Sequence, residues 1–287
     1  MFLSIDFEDF NYDLKIKFGG GEDLSLKTNA LWEKYYLIDK FLSKNAVNSG
    51  RYITFFCTAI LAEKAPDLIE KISKDGHEIA CHYYHHDIME NQPISKVEQT
   101  LSAAKSLLED ASQTEVVGFR APYFKINKIN PEQYLVVERL FHYDSSYFCG
   151  SKDSLFKFKS EMGLTNLRLF PVFAKDLANT NFKLGGSFLK FFPLWYSVLF
   201  ARKAEEIGFT PHIYLHPYEF GPSDEFRVSR EAMNELGLSV LRSVYWEYRQ
   251  SQWLTLRNKS TIRKLECLLK NYELQGRLRD NLDRVLI

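Results

Sequence analysis

Cysteine is scarce and scattered in this chain of 287 residues. None of the four cysteines forms a CxxC pair, and they stand far apart at Cys57, Cys81, Cys149 and Cys267. The spacing therefore predicts neither a structural zinc knuckle nor a disulfide framework. Scattered, reduced thiols are typical of a cytoplasmic protein.

An excess of charge is also missing. The chain has 37 basic and 37 acidic residues, so its formal net charge is zero, and no run of like charge interrupts it. Proteins that bind nucleic-acid backbones need a concentrated positive surface. We therefore expect no nucleic-acid partner.

Two kinds of apolar segment are absent as well. No basic and apolar leader precedes the first strand-like residues, which favours a cytoplasmic protein, with a position at the inner face of the membrane as the alternative. The most apolar window, Ser187–Ala201, is too short to span a bilayer and contains Lys190 and Pro193. It predicts a core or substrate-facing helix, and membrane-surface contact is the alternative.

Short apolar strands alternate with helical segments along the first 220 residues. Strands are predicted at 2–5, 51–59, 77–81, 116–124, 141–146, 167–172 and 212–216, and helices at 30–44, 65–75, 95–111, 131–140 and 187–208. Ser95, with Glu98 three residues later, predicts a capping box for one of these helices.

This alternation predicts the fold class. Repeated βα units favour parallel strands with right-handed crossovers, and about seven of them predict an α/β fold, a distorted (β/α)7-type barrel resembling a TIM barrel. From Arg230 onward the pattern becomes helical and polar. We expect a barrel at residues 1–225 and a C-terminal helical extension at residues 226–287, packed on the same domain.

Three acids follow the first strand. Asp6, Glu8 and Asp9 stand within four positions, at the carboxyl edge of the sheet where the sites of such folds are built. A solvated acidic turn is the alternative interpretation. Because side chains two apart project to the same side of a strand, Asp6 and Glu8 are expected to face together.

Histidines cluster in one short segment. His77, His82, His85 and His86 fall within ten residues, and His82 and His86 stand four apart. On a helix these two would share a face and reach one cation. Two imidazoles and a carboxylate predict a hydrolytic site for a divalent ion, zinc first, with cobalt, nickel or iron as alternatives. Surface histidines in a polar loop are the other interpretation.

Five motifs carry a family resemblance. SIDFEDF, HEIACHYYHH, GFRAPYF, FHYDSS and IYLHP occur in this order, each at a predicted strand end. Together they resemble the polysaccharide deacetylase family, of the carbohydrate esterase family 4 type, over residues 1 to about 220. The branch that the chain most resembles is associated with bacterial exopolysaccharide biosynthesis. The resemblance implies metal-dependent removal of an N-acyl group, in the first place N-acetyl, from an amino sugar.

The resemblance also implies roles for single residues. His82 and His86 would bind the metal, and Arg120 would hold the catalytic carboxylate in place. The backbone N–H of Tyr123 would stabilise the oxyanion, and Asp144 would pair with Arg120 and tune the site. His216 would be the general acid that protonates the leaving amine, a core histidine at a strand end being the alternative.

The first motif departs from the Thr-Phe-Asp-Asp-Gly pattern of the family and leaves two registers open. In one, Asp6 is the general base and Glu8 the metal ligand, as strand alternation favours. In the other, Glu8 is the base and Asp9 the ligand.

Substrate recognition is predicted less sharply. Aromatic residues at 188, 191, 192, 195 and 196, after Gly185 and Gly186, would either contact a sugar or lipid or pack the outer helix. We expect a cytoplasmic amino-sugar or glycan precursor as substrate, linked to a nucleotide or a lipid. The alternatives are a metal-independent hydrolase of small amides and a catalytically silent carbohydrate-binding barrel.

Overall fold

Ten strands and twelve helices run through the described residues of the computed structural model, which are 1–21, 24–46, 48–177 and 180–285. The strands are β1 (Phe2–Phe7), β2 (Thr54–Cys57), β3 (Glu78–Cys81), β4 (Gly118–Phe119), β5 (Tyr143–Asp144), β6 (Phe148–Cys149), β7 (Arg168–Leu169), β8 (Val172–Leu177), β9 (Thr180–Lys183) and β10 (His212–Leu215). The helices are α1 (Phe10–Lys17), α2 (Thr28–Asn45), α3 (Ala59–Lys64), α4 (Pro66–Lys74), α5 (Ile94–Ser112), α6 (Glu132–Leu140), α7 (Lys152–Glu161), α8 (Gly186–Phe191), α9 (Leu194–Glu206), α10 (Arg230–Glu235), α11 (Val240–Leu254) and α12 (Asn258–Leu269).

Seven parallel strands form the main sheet, in the order β10-β1-β2-β3-β4-β5-β7. Within the described ranges the edge strands β10 and β7 do not pair with each other, so the sheet is a curled, open barrel. The predicted distorted (β/α)7-type fold is confirmed. Because all seven strands run the same way, their carboxyl ends meet at one edge.

The central strands are apolar because both of their faces are covered. Every residue of β1, β2 and β3 is buried, as expected for parallel strands between a barrel interior and surrounding helices. Helix α2 packs on this sheet through Leu31, Tyr35, Ile38 and Leu42, whose spacing of four, three and four residues makes one apolar stripe. Burying each such side chain contributes about 1.5–3 kcal/mol.

A smaller sheet was not predicted from the sequence. Strand β6 pairs in parallel with β8, and β8 pairs antiparallel with β9 as a hairpin. The predicted strand at 167–172 is instead divided between β7 and β8, which belong to different sheets. Pro171, which lacks a donor N–H, lies between them.

Two helix predictions need correction. The single helix expected at 187–208 is two helices, α8 and α9, because Phe192 before Pro193 is extended, with ψ of 154°. The capping box expected at Ser95 is absent from the described contacts, since α5 begins one residue earlier, after Pro93. Glu98 instead pairs with Arg139 at 2.7 Å.

The C-terminal segment packs closely on the barrel. Asn258 at the start of α12 donates hydrogen bonds to the carbonyls of Tyr218 at 2.7 Å and Leu254 at 2.7 Å. The end of the chain also contacts the start of β1, where the Gln275 N–H donates to the Met1 carbonyl at 3.0 Å. The predicted division between residues 225 and 226 stays a prediction. No helix among the described residues is both long enough and apolar enough to cross a membrane.

Candidate metal and catalytic site

Most of the predicted site residues lie at the carboxyl edge of the main sheet. Asp6 is near the end of β1, His82 follows β3, Arg120 follows β4, Asp144 ends β5 and His216 follows β10. These strands are distant in sequence but adjacent or nearly adjacent in the sheet. The parallel topology therefore brings together the motifs that the sequence spreads over 210 residues.

Glu8, His82 and His86 form a buried cluster. The Glu8 Oε2 atom lies 2.7 Å from His86 Nε2 and 3.7 Å from His82 Nε2. One ligand atom from each residue falls within 4.8 Å of the others. The arrangement is the one a single divalent ion needs from two imidazoles and a carboxylate, with room left for further ligands.

The donor atoms of this cluster fit a cation. His82 Nδ1 lies 2.7 Å from the Arg120 carbonyl, and because a carbonyl only accepts, Nδ1 carries the proton and Nε2 presents its lone pair to the cluster. Glu8 Oε2 is buried, and its ion-pair partners among the described residues are the two imidazoles. Burial by itself would raise the pKa of Glu8, but the neighbouring His86, with His216 and His82, holds that pKa below its ordinary value.

The two histidines meet in a loop rather than on a helix. Residues 82–86 follow β3 without helical structure, and Tyr83 and His86 have φ angles of 67° and 59°. The sequence thus predicted the correct pair of histidines, but from a helical spacing that this loop does not have. Left-handed backbone at two non-glycine residues is uncommon and costs about 1–3 kcal/mol each, which is typical of functional sites.

Asp9 has a different environment from Glu8. Its Oδ1 accepts hydrogen bonds from the N–H groups of Asn11 at 2.9 Å and Tyr12 at 3.2 Å, and its Oδ2 accepts from Lys27 N–H at 2.5 Å. Asp9 is thus the N-cap of α1. It is not a member of the cluster of described residues that could hold a metal.

Asp6 pairs with Arg120. The Arg120 Nη1 atom donates to Asp6 Oδ1 at 2.5 Å, and both side chains are almost fully buried. The same guanidinium donates to the hydroxyls of Ser4 at 2.9 Å and Ser145 at 2.8 Å. The Arg120 Nε–H also donates to the Ser145 carbonyl at 3.3 Å. Together these four hydrogen bonds fix the orientation of Arg120 and, through it, that of the Asp6 carboxylate.

The predicted pairing of Asp144 with Arg120 is not found among the described contacts. Asp144 instead accepts hydrogen bonds from the hydroxyl and the N–H of Ser146, at 2.5 Å and 2.8 Å. Arg120 already bonds to Asp6, which occupies the guanidinium. Burial raises the pKa of Asp144 to about 6, and the hydrogen bonds from Ser146 oppose this rise.

His216 lies beside a carboxylate of its own turn. Its Nδ1 is 3.1 Å from Glu219 Oε2, and its ring stacks on Tyr218 with centroids 4.9 Å apart. Burial opposes protonation, but the hydrogen bond to Glu219 and the charges of Glu8, Glu219 and Asp6 raise the pKa of His216 above its ordinary value. An imidazole held protonated in this way can donate a proton near neutral pH.

Tyr123 lies in a strained turn at the mouth of the site. Tyr123 and its neighbour Phe124 have φ angles of 55° and 58°, and the Tyr123 ring packs on His86 with centroids 4.5 Å apart. The ring is about half exposed. The predicted role of its backbone N–H stays a prediction.

A cavity of about 300 Å³ joins these groups. Its walls include Asp6, Glu8, His82, His86, Tyr123 and His216. Sequence reasoning missed several other wall residues, which are Phe10, Asp13, Lys17, Lys183, Tyr218, Trp246 and Trp253. Trp246 and Trp253 stand seven residues apart on α11 and so share one face of that helix. This spacing was the only feature of the sequence that could have indicated that both line the cavity.

The aromatic residues that the sequence singled out lie elsewhere. Phe188, Phe192, Tyr196 and Phe182 pack against one another, with ring centroids 4.7–6.5 Å apart. None of them is in the wall of the cavity as the described residues define it. Three of the five predicted aromatic residues, Phe188, Phe192 and Tyr196, therefore pack the outer helices together with Phe182, as in the alternative interpretation, whereas Trp195 is largely exposed.

Comparison with known proteins gives one family and several distant structural likenesses. The model of the polysaccharide deacetylase family matches residues 38–134, which are 97 of the 287 residues and include His82, His86, Arg120 and Tyr123. None of the curated proteins searched matches the chain.

Three solved structures illustrate the likenesses. A putative polysaccharide deacetylase from Mycobacterium smegmatis is 17% identical, with a TM-score of 0.49, over 95% of this chain and 92% of that chain. Peptidoglycan deacetylase PdaC from Bacillus subtilis is 10% identical, with a TM-score of 0.46, over 99% of this chain and 89% of that chain. A CE4 family pseudoenzyme from Bacillus anthracis is 12% identical, with a TM-score of 0.44, over 99% of this chain and 65% of that chain.

The family match confirms the resemblance found in the sequence, whereas the exopolysaccharide branch stays a prediction. Residues 38–134 match the model of the polysaccharide deacetylase family, and this match supports the expected enzyme class, hydrolysis of an amide C–N bond.

Proposed function

We propose that this chain is a metal-dependent hydrolase that removes an N-acyl group, N-acetyl in the first place, from an amino sugar in bacterial surface polysaccharide biosynthesis. The observation that carries the proposal is the meeting of three groups around one cavity. They are the Glu8, His82 and His86 cluster, the Asp6–Arg120 pair, and His216. Each supplies a different requirement of amide hydrolysis.

Glu8, His82 and His86 would hold the metal, and zinc fits their nitrogen and oxygen donors. When bound, a divalent cation supplies Lewis-acid polarisation of the amide carbonyl and lowers the pKa of water from about 16 toward 7. The bond from His82 Nδ1 to the Arg120 carbonyl orients one of the ligands.

Asp6 would be the general base. It lines the cavity, and the hydrogen bond from Arg120 holds its carboxylate in a fixed orientation. A base of this kind must lie within hydrogen-bond reach of the water whose proton it takes. The backbone N–H of Tyr123 would donate to the oxygen that becomes negative, an interaction whose loss costs on the order of a hundredfold or more in rate.

His216 would be the general acid. An amide nitrogen leaves only after it is protonated, because the amide anion is too basic to leave. Glu219 keeps the imidazole oriented and favours its protonated form. His216 would thus donate a proton and Asp6 would accept one, so the two side chains have complementary roles in the same cavity.

The test is metal content together with activity. Elemental mass spectrometry of purified protein, reloaded with zinc or cobalt, is expected to give about one ion per chain in wild type and none in His82→Ala or Glu8→Ala. His142→Ala is the matched control, since His142 is exposed and lies outside the cavity. Loss of the ion from the control as well would contradict the assignment of the ligands.

Activity is measured as acetate release from N-acetylated amino sugars. Wild type is expected to turn over, and Asp6→Asn is expected to bind the ion but lose at least a hundredfold in kcat. Sugar binding without acetate release by wild type, unaffected by Asp6→Asn, would contradict the proposed hydrolase and favour a carbohydrate-binding barrel.

A further inference from the structure

Lys183 lies in the wall of the candidate active-site cavity without an acidic partner. It is the last residue of β9, and its Nζ lies 4.0 Å from the centroid of the Phe148 ring and 5.6 Å from that of Phe124. Among the described residues it forms no ion pair and no hydrogen bond through Nζ. Phe124 and Lys183 share the cavity with Glu8 and His82.

A second lysine lies beside the first. Lys128 Nζ is 5.8 Å from the centroid of the same Phe148 ring and donates to the Phe124 carbonyl at 3.1 Å. Lys128 also forms no ion pair within the described parts of the chain, although the charges of Asp144 and Glu90 act on it from further away. Two ammonium groups thus lie near the same aromatic ring, and one of them, that of Lys183, belongs to a residue of the cavity wall.

This arrangement is costly in the absence of a ligand. Burial, with the charge of Lys128 acting in the same direction, lowers the pKa of Lys183 to about 8. The Phe148 ring attracts the ammonium group but does not neutralise its charge. A bound cation at Glu8, His82 and His86 would add more positive charge to the same cavity. An anion is what would offset these costs, because buried charges are normally paired.

We propose that Lys183, supported by Lys128, is a subsite for a negatively charged group on the amino-sugar substrate, either a carboxylate or a phosphate. This inference rests on the proposed deacetylase function, since it uses the same cavity. It narrows the substrate class to acidic or phosphorylated N-acyl amino sugars. The rings of Phe124 and Phe148 pack beside the ammonium group and partly shield it from solvent, which strengthens its attraction for an anion.

The test compares four sugars that differ in one substituent. They are N-acetylglucosamine, its 1-phosphate, its 6-phosphate, and the 6-carboxylate 2-acetamido-2-deoxyglucuronic acid. Binding constants are measured by the quenching of tryptophan fluorescence on metal-loaded protein, and turnover is measured as acetate release. For wild type we expect at least one anionic sugar to bind about tenfold or more tightly than the neutral one, the size of one charge-assisted hydrogen bond.

Three variants assign the preference to its residue. In Lys183→Met the ratio of the anionic to the neutral binding constant is expected to fall to within about twofold of one, whereas Lys183→Arg keeps the preference. Lys175→Met is the matched control, because Lys175 is an exposed lysine of the same hairpin and lies outside the cavity wall. It is expected to keep the wild-type ratio.

The possible results distinguish a failure of the proposed anion subsite from a failure of the proposed deacetylase function. If wild type binds all three anionic sugars no more tightly than the neutral one, the proposed subsite is wrong. It is also wrong if Lys183→Met keeps the wild-type ratio of anionic to neutral binding constants, a result that would mean that the anion binds the metal directly. Lack of acetate release with every sugar would contradict the proposed function, while the binding ratios would still decide the subsite. Comparing the phosphates with the carboxylate identifies which anion the subsite takes.

Discussion

Arg120 and Asp6 form an ion pair in the interior of the barrel, with Nη1 and Oδ1 2.5 Å apart. Asp6 lies within β1 and Arg120 follows β4, and β2 and β3 separate these two strands in the sheet. Arg120 also supplies the carbonyl that holds His82. One residue of the RAPY motif therefore orients both the candidate base and a candidate metal ligand.

Arg120→Met is expected to lower the free energy of unfolding by about 3–5 kcal/mol, because it leaves the charge of Asp6 buried without a partner. The measurement is urea denaturation. Arg139→Met is the control, since the Arg139–Glu98 pair is about half exposed and its loss should cost less than about 1 kcal/mol. Equal losses in the two variants would mean that the Asp6–Arg120 pair contributes no more than a surface pair.

Asp9→Ala is expected to destabilise the protein by about 1–2 kcal/mol through loss of the α1 cap, while the metal content stays near that of wild type. Glu8→Ala should lose the metal. The two variants thus decide between the registers left open by the first motif. Loss of the metal from Asp9→Ala, with wild-type stability, would support Asp9 as the ligand instead.

Glu219→Gln is expected to move the alkaline limb of the kcat/KM profile to lower pH. Glu219 raises the pKa of His216, so removing its charge lowers that pKa, and the acid loses its proton earlier as the pH rises. In wild type the backbone N–H of His216 donates to Glu219 Oε2 at 3.0 Å. The side-chain oxygen of the glutamine can accept the same hydrogen bond. Glu231→Gln, at an exposed position, serves as the control. An unmoved limb would argue against His216 as the general acid.

Trp246→Leu is expected to raise KM for a sugar substrate about three- to tenfold and to leave kcat within about twofold, because the ring provides a cavity wall away from the reacting groups. Trp195→Leu is matched to it, since Trp195 is largely exposed and outside the cavity wall. Steady-state kinetics of acetate release measure both. A KM that rises equally in the two variants would contradict a role of α11 in substrate binding.

Asp144→Asn is expected to reduce the loss of stability between pH 4 and pH 7. Burial raises the pKa of Asp144 from 3.8 to about 6, so the unfolded chain releases this proton first and stability falls as the pH rises through that window. This rise in pKa corresponds to a change of roughly 3 kcal/mol at most in the free energy of unfolding across that pH window. The free energy of unfolding at several pH values measures the effect. The same pH dependence in both proteins would show that Asp144 ionises in the folded state as it does in the unfolded chain.

The sequence predicted the parts of the site that follow from strand order and alternation. Asp6 and Glu8 stand two apart at the end of a short apolar strand, and both line the cavity. His82 and His86 were paired by a helical spacing that the loop does not have. Their meeting depends on left-handed backbone at non-glycine residues, which no local propensity indicates.

Other parts depended on tertiary contacts that the sequence does not carry. The helix after the first motif, which uses Asp9 as its cap, has almost no apolar stripe of its own. Trp246 and Trp253 line the cavity because of the way α11 packs on the barrel. The sequence predicted only that their helix packs on the same domain. The hairpin that places Lys183 likewise joins strands whose short runs gave no clear alternation.

The position of β1 has a consequence for the order in which the protein assembles. The strand that contains Asp6 and directly precedes Glu8 lies between β2 and β10, with Phe2 opposite His212. During synthesis β1 emerges first, but one of its two neighbours is made about 200 residues later. Contacts of such long sequence separation form slowly. One edge of β1 therefore stays unpaired until the chain has been made as far as β10, about 200 residues after Asp6.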